Sequence, residues 1–333
     1  MYETYYGLTA KPFQLRPDPN FYFGSKGHKR AMAYLDYGVS QGEGFIVITG
    51  EVGAGKTTLV RSLFRKLESE DIYAVQIVNT HLDGDDILRM VAAAFELPHE
   101  GMSKAALLTN IEQLLRHIDK QGKRVLLVVD EAQNLTARAV EELRMLSNFQ
   151  TADKSLLQTF LLGQPEFKKT LMSPGMQQLR QRVIATYHLG PMDADETRTY
   201  IEHRLHTVGW RDTPAITDGA FALIHAESGG IPRRINSLCD RLFLMGFLEE
   251  IQHFGVAEVQ TVVADIQQEF ELPESAVDAE PAVGPLHDEL ADVNLEHLDA
   301  RVSGIERSVV SLLDALKSML NTRKPSGTPS EKQ

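Results

Sequence analysis

The stretch Gly50-Glu51-Val52-Gly53-Ala54-Gly55-Lys56-Thr57 limits what this chain can be more than any other part of it. An apolar run, Phe45-Ile46-Val47-Ile48, leads into it, and a helical pattern from Thr58 to Leu67 leads out. This strand–loop–helix context is what a P-loop requires. Its glycines let the backbone turn N–H groups inward on a phosphate chain, and the N-terminus of the following helix adds partial positive charge there. Lys56 is placed to reach the β- and γ-phosphates, and the Thr57 hydroxyl to sit on Mg²⁺. Gly50 to Thr58 are therefore the candidate nucleotide-binding residues, and the chain reads as a binder of nucleoside triphosphate.

Four further strand-like runs follow, at Tyr73–Asn79, Val125–Val129, Gln158–Leu162 and Val183–Leu189. Helical patterns separate them at Asp85–Leu97, Ser103–Lys120, Thr136–Phe149 and Pro165–Leu171. Alternation of this kind predicts a five-stranded parallel sheet covered on both faces, with nucleotide at the carboxyl ends of the strands. After residue 192 the strand patterns stop. Helices are predicted at Asp193–Val208, Thr217–Ser228, Pro232–Gly246 and Val256–Phe270, a small all-helical lid broken at Gly229-Gly230-Ile231-Pro232. The expected fold is α/β, with domains at 1–192 (nucleotide-binding) and 193–270 (lid).

Beyond the lid, residues 271–287 read as an acidic linker that cannot bury a core. Residues 288–321 carry a heptad helix, with Leu295, Leu298, Val302, Ile305, Val309, Leu312, Leu316 and Met319 spaced alternately three and four apart. Self-association, docking on a partner and packing back on the chain's own lid are all open to such a helix. Residues 322–333 read as a disordered tail.

Composition removes several classes of function. The formal net charge of −12 argues against a large nucleic-acid footprint, although eight carboxylates and no Lys or Arg fall between Glu271 and His297, leaving the remainder nearer balance. No apolar stretch approaches the roughly 20 residues that span a bilayer. The N-terminus lacks the basic start and apolar core of a signal peptide. A single cysteine, Cys239, excludes an intramolecular disulfide and is expected to be a buried packing thiol. The expected location is cytoplasmic, with membrane contact only through a partner.

The run Val125-Leu126-Leu127-Val128-Val129-Asp130-Glu131-Ala132-Gln133 is an apolar strand ending in two carboxylates. Asp130 is suited to hold Mg²⁺ through water, and Glu131 to take a proton from, or orient, the water attacking the γ-phosphate. With these motifs the chain resembles the AAA+ ATPases over residues 1–270. It is most similar to the secretion-pathway protein A type, and within that to the secretion ATPases of exosortase (PEP-CTERM) exopolysaccharide loci. The resemblance is carried by Tyr6-Gly7-Leu8 with Lys11-Pro12-Phe13, Pro17-Asp18-Pro19-Asn20-Phe21-Tyr22, the P-loop and Asp130-Glu131-Ala132-Gln133. Leu162-Gly163-Gln164-Pro165-Glu166, Leu179-Arg180-Gln181-Arg182-Val183 and Gly230-Ile231-Pro232-Arg233-Arg234-Ile235-Asn236 complete the series.

The resemblance implies an oligomeric Mg²⁺-dependent ATPase, a motor or switch for envelope export, with ATP as the nucleotide. It implies that Gln164 is a first sensor of the γ-phosphate and that Arg233, with Arg234 as alternative, is a second sensor reaching from the lid. Arg182 matches an arginine finger inserted into a neighbouring copy, with Arg180 its rival; such a finger is worth about 10³–10⁵ in rate in related phosphoryl transfers. Asn79 is implied to hold Glu131 until a partner binds. Phe21, Tyr22, Phe23 and His28 are expected near the base. The competing reading is a DNA-associated AAA+ ATPase of the transposition target-selection type. The membrane-spanning helix and peptidoglycan-binding domain of the relatives have no counterpart in this sequence.

Overall fold

The computed structural model describes residues 1–16, 18–78 and 84–270. The acidic linker, the heptad stretch, the tail and Asn79 lie outside the described residues. In chain order the helices are α1 (Tyr2–Tyr5), α2 (Lys26–Gln41), α3 (Lys56–Leu67), α4 (Gly84–Ala94), α5 (Lys104–Lys120) and α6 (Ala137–Leu146), then α7 (Phe167–Met172) and α8 (Gln177–Arg180). Five strands alternate with them: β1 (Phe45–Gly50), β2 (Ile72–Val78), β3 (Arg124–Asp130), β4 (Gln158–Gly163) and β5 (Val183–Leu189). The lid holds α9 (Ala194–Thr207), α10 (Asp218–Ser228), α11 (Pro232–Leu248) and α12 (Val256–Phe270), with the two-residue strands β6 (Ala215–Ile216) and β7 (His253–Phe254).

The five strands form one parallel sheet in the order β2-β3-β4-β1-β5. Strand β1 is buried along its whole length because helices cover both faces. Its alternate residues go to opposite cores, as a period of two demands. Phe45 and Val47 join Val125, Leu127 and Val129 of β3 under α4, α5 and α6. Ile46 and Ile48 join Leu126, Val128, Phe160 and Leu162 under α2 and α3.

The register decides where the chemistry sits. Gly50 at the end of β1 is level with Leu189 at the end of β5, and Val129 of β3 is level with Leu161 of β4. The P-loop, Asp130, Gln164 and the exit to the lid therefore share one rim. Phe45 pairs with Val183, so Arg182 falls at the opposite rim.

The lid is helical but for one addition to the sequence reading. Ala215 pairs with His253, and Ile216 with Phe254, in a short parallel ladder. A two-residue strand is too short to leave an alternating pattern. The second finding concerns the N-terminal segment: Tyr2, Tyr6, Leu8, Phe13 and Phe21 are buried in the lid core with Ile201, Leu205, Leu242 and Phe243, not against the sheet. Lid and sheet are tied again at the start of α2. Lys26 meets Asp193 in an ion pair at 2.8 Å, and its backbone N–H donates to Glu196 Oε1 at 2.6 Å. Asp193 and Glu196 form the capping box of α9, so the same two carboxylates start the lid's first helix and anchor it. Cys239 is buried among this packing, and burial pushes its thiol pKa up.

Candidate active site

The P-loop leaves β1 at Gly50, turns with Ala54 N–H on the Glu51 carbonyl at 3.1 Å, and starts α3 at Lys56. Gly53 and Gly55 hold φ of 81° and 98°, backbone that disfavours any side chain. Space forbids one as well. A Cβ on Gly53 would lie 2.3 Å from Arg233 Cβ, and one on Gly55 would lie 2.6 Å from His28 Nε2. The loop is thus gripped by α11 on one side, where Arg233 N–H donates to the Gly53 carbonyl at 3.2 Å, and by α2 on the other. No side chain caps α3, so its leading N–H groups face the cleft as an anion site.

Lys56 is buried, and its ammonium donates to the carbonyls of Gly50 at 2.7 Å and Glu51 at 3.0 Å. Burial lowers its pKa, against the pull of the nearby Glu131 and Asp130 carboxylates. The Thr57 hydroxyl donates to Asp130 Oδ2 at 2.9 Å. Asp130 is 2% exposed; burial raises its pKa, opposed by the Thr57 hydroxyl and by the Glu131 N–H at 3.0 Å.

A hydroxyl and a carboxylate oxygen facing each other are hard donors suited to Mg²⁺. Among the described residues no group of three His, Cys, Asp or Glu stands ready to hold a metal. An ion here would complete its shell with phosphate oxygens and water, the habit of Mg²⁺ in nucleotide sites.

Glu131 sits just past the end of β3 with a left-handed backbone, φ 54°, and its side chain lines the cleft. Its Oε2 accepts from Gln133 Nε2 at 2.6 Å and, at a longer 3.4 Å, from Gln164 Nε2. The cleft has an empty volume of about 1000 Å³, is open to solvent, and also touches Val52, Gly53, Gly55, Thr58 and Arg233. Arg182 is elsewhere, at the far rim, donating to Ser147 Oγ at 2.6 Å and to Asn148 Oδ1. Arg180 donates to the carbonyls of Leu171 and Ser173 at 2.6 and 2.8 Å. One chain therefore brings Lys56, Thr57, Asp130, Glu131, Gln164 and Arg233 together, and neither finger candidate joins them.

Residues 39–171 match the AAA domain family. General secretion pathway protein A of Aeromonas hydrophila is 38% identical over 274 residues, 81% of this chain and 50% of that protein. The chain carries an AAA domain and is similar to general secretion pathway protein A over most of its own length. It spans about half the length of that curated relative. Among solved structures, the Aeropyrum pernix ORC2 protein matches with TM-score 0.59 and 18% identity, over 77% of this chain and 71% of that one. Cdc6p from Pyrobaculum aerophilum matches with TM-score 0.58 and 17% identity, over 75% and 71%. At such identities these two likenesses establish the AAA+ fold alone.

The AAA+ cleft also contains residues that the sequence reading passed over: Gln14, Leu15, Met192, Tyr200 and Arg204. Arg204 is buried and donates to the carbonyls of Pro12 at 2.5 Å and Gln14 at 3.3 Å and to the Tyr200 hydroxyl at 2.8 Å. Its guanidinium lies over the Phe21 ring at 4.7 Å. A signal was present. Thr197, Tyr200, Ile201, Arg204 and Leu205 share the buried face of α9, and an arginine inside an apolar stripe asks for a buried partner. His28 lines the cleft with Tyr22 and Phe23 and also supports the P-loop: Nδ1 meets Ser25 Oγ at 2.7 Å, and the ring bonds the Ala54 backbone. Burial lowers its pKa.

Proposed function

We propose that this chain hydrolyses ATP with Mg²⁺, in an assembly of copies, as a motor or switch for an envelope export system. The observation that carries the reading is the joining of Lys56, Thr57–Asp130 and Glu131 around the uncapped start of α3, beneath Arg233 of the lid. The loop N–H groups and Lys56 bind the β- and γ-phosphates. Thr57 and Asp130 would hold Mg²⁺, which would neutralise charge on the phosphate oxygens. Glu131 accepts a proton as the water oxygen bonds to the γ-phosphorus. The bond from that phosphorus to the bridging oxygen breaks, and ADP leaves with the electron pair. Gln164 aligns the water and Arg233 draws the lid onto the phosphates. The rim location of Arg182 suits it to serve an adjoining copy rather than its own cleft, with Arg180 as rival.

Phosphate release by the purified protein tests this. Lys56→Ala should abolish nucleotide binding, while Glu131→Gln should bind ATP and lose about 10²–10⁴ in turnover. Normal turnover by Glu131→Gln would overturn the catalytic assignment. The export role rests on the name of the relative and on the motif series. Deleting the gene and assaying surface polysaccharide and secreted protein separately decides which material depends on it. Strong, salt-sensitive stimulation of the ATPase by duplex DNA would move the assignment to the DNA-associated alternative.

A further inference from the structure

The Asp130-Glu131 pair is followed by a glutamine whose side chain no nucleotide-binding role accounts for. Gln133 does not point to solvent. Its Oε1 accepts from the backbone N–H of Gln164 at 2.9 Å, and its Nε2 donates to Glu131 Oε2 at 2.6 Å. Chemistry fixes which end of this amide faces which neighbour. A backbone N–H can only donate, so the oxygen must face Gln164; an ionised carboxylate can only accept, so the NH₂ must face Glu131. One planar side chain thus joins the tip of β4 to the tip of β3. The structure keeps room for it: a Cβ on Gly163 would lie 3.1 Å from Gln133 Oε1 and 3.3 Å from its backbone nitrogen.

We propose that Gln133 is a positioning residue that couples Gln164 to Glu131. It engages Oε2 of the carboxylate, and with Gln164 Nε2 on that same oxygen it leaves Oε1 to meet the attacking water. Because Gln133 is bonded to the Gln164 backbone, a shift of the β4 tip toward a γ-phosphate pulls the amide and turns the carboxylate with it. Glu131 needs such a hold. Its backbone is left-handed, and a glutamate side chain has three rotatable bonds with which to leave the productive direction. The proposal rests on the reading of Glu131 as the acceptor of the water's proton.

The test compares steady-state ATPase and fluorescent ATP-analogue binding for the wild-type full chain, Gln133→Met, Gln133→Glu, Gly163→Ala, Glu131→Gln and the Glu131→Gln/Gln133→Met double variant. Gln133→Met should lower kcat by about tenfold or more while the analogue's Kd stays within about threefold. Gln133→Glu keeps the shape and the bond to Gln164 but cannot donate to Glu131, and should lose at least as much. Gly163→Ala leaves all three side chains chemically intact and should give a smaller drop in kcat at unchanged KM. In the Glu131→Gln background, Gln133→Met should alter the residual rate by less than about twofold, since the carboxylate it positions is gone.

An equal loss in both backgrounds would mark Gln133 as merely structural and overturn the proposal. So would a kcat within twofold of wild type for Gln133→Met or Gln133→Glu while Glu131→Gln is inactive, and that result would leave Glu131's role standing. Full turnover by Glu131→Gln would remove the underlying reading, and the proposal with it. If Gln133→Met fails to melt cooperatively, Gln133→Glu and Gly163→Ala decide the matter.

Discussion

At the sheet rim Lys56 and Asp130 are buried with two loop carbonyls, the Thr57 hydroxyl, the Glu131 N–H and, at a long 3.5 Å, the Gln76 amide for company, and burial pushes both toward their neutral forms. In the lid Arg204 is just as buried, yet its guanidinium is spread over two carbonyls, a tyrosine hydroxyl and an aromatic face. Removing a charge from water is costly unless hydrogen bonds replace the lost hydration. The rim leaves that compensation incomplete, and phosphate and Mg²⁺ would finish it. The lid completes it within the chain, and the result is a rivet holding Pro12, Gln14 and Phe21 to α9. Function and fastening are distinguished by how far the protein satisfies its own buried charges.

The sharpest way to break this contrast is at the loop itself. Gly53→Ala, with a positive φ and a Cβ 2.3 Å from that of Arg233, should displace the lid and weaken ATP-analogue binding by about 100-fold or more; fluorescence titration measures it. Next in size is the rivet. Arg204→Ala should lower unfolding free energy by about 3 kcal/mol, because it strips charged donors from buried carbonyls; denaturant titration measures it, and Arg204→Lys should recover only part.

Asp130→Asn sharpens the contrast from the other side. The folded pKa of Asp130 is raised, so its contribution to stability is complete below the unfolded value near 3.9 and is lost as pH rises through the folded one. At neutral pH the asparagine, with no charge to bury, should raise the Tm of the ligand-free protein by a few degrees while abolishing Mg²⁺-dependent turnover. The smallest effect belongs to His28. Its folded pKa is lowered, so its stabilising contribution is present above about 6.5 and is lost as pH falls through the folded value. A Tm–pH profile should decline below about pH 6.5, and His28→Gln should flatten that decline.

Much of the rim was legible because its signals are local. A glycine turn between an apolar run and a helix, and an apolar run ending in two carboxylates, each fix strand, direction and tip within a few residues. The lid helices were legible for the same reason, through periodicity and caps such as Asp193 with Glu196. In the sheet domain, helix ends moved slightly: the helix expected over Thr136–Phe149 runs from Ala137 to Leu146, with Ser147 at its C-cap. His28 illustrates the other case. Its place in the N-terminal segment put it near the cleft, but only the fold shows that the turn set by Ser25 also brings the ring against Gly55 and Ala54.

By itself the sequence determined the P-loop, the five strands and the carboxylate pair, since backbone conformation and one-sided burial follow from spacing along a few turns of chain. Only the tertiary structure decided that Tyr2, Tyr6, Leu8, Phe13 and Phe21 belong to the lid core, that Arg204 clamps Pro12 across 192 positions, that Gln133 links two strand tips, and that Arg182 stands at the far rim. The physical reason is that a pattern states which side of an element seeks burial. Strand order and register, which bring distant residues within hydrogen-bond reach, choose what it is buried against.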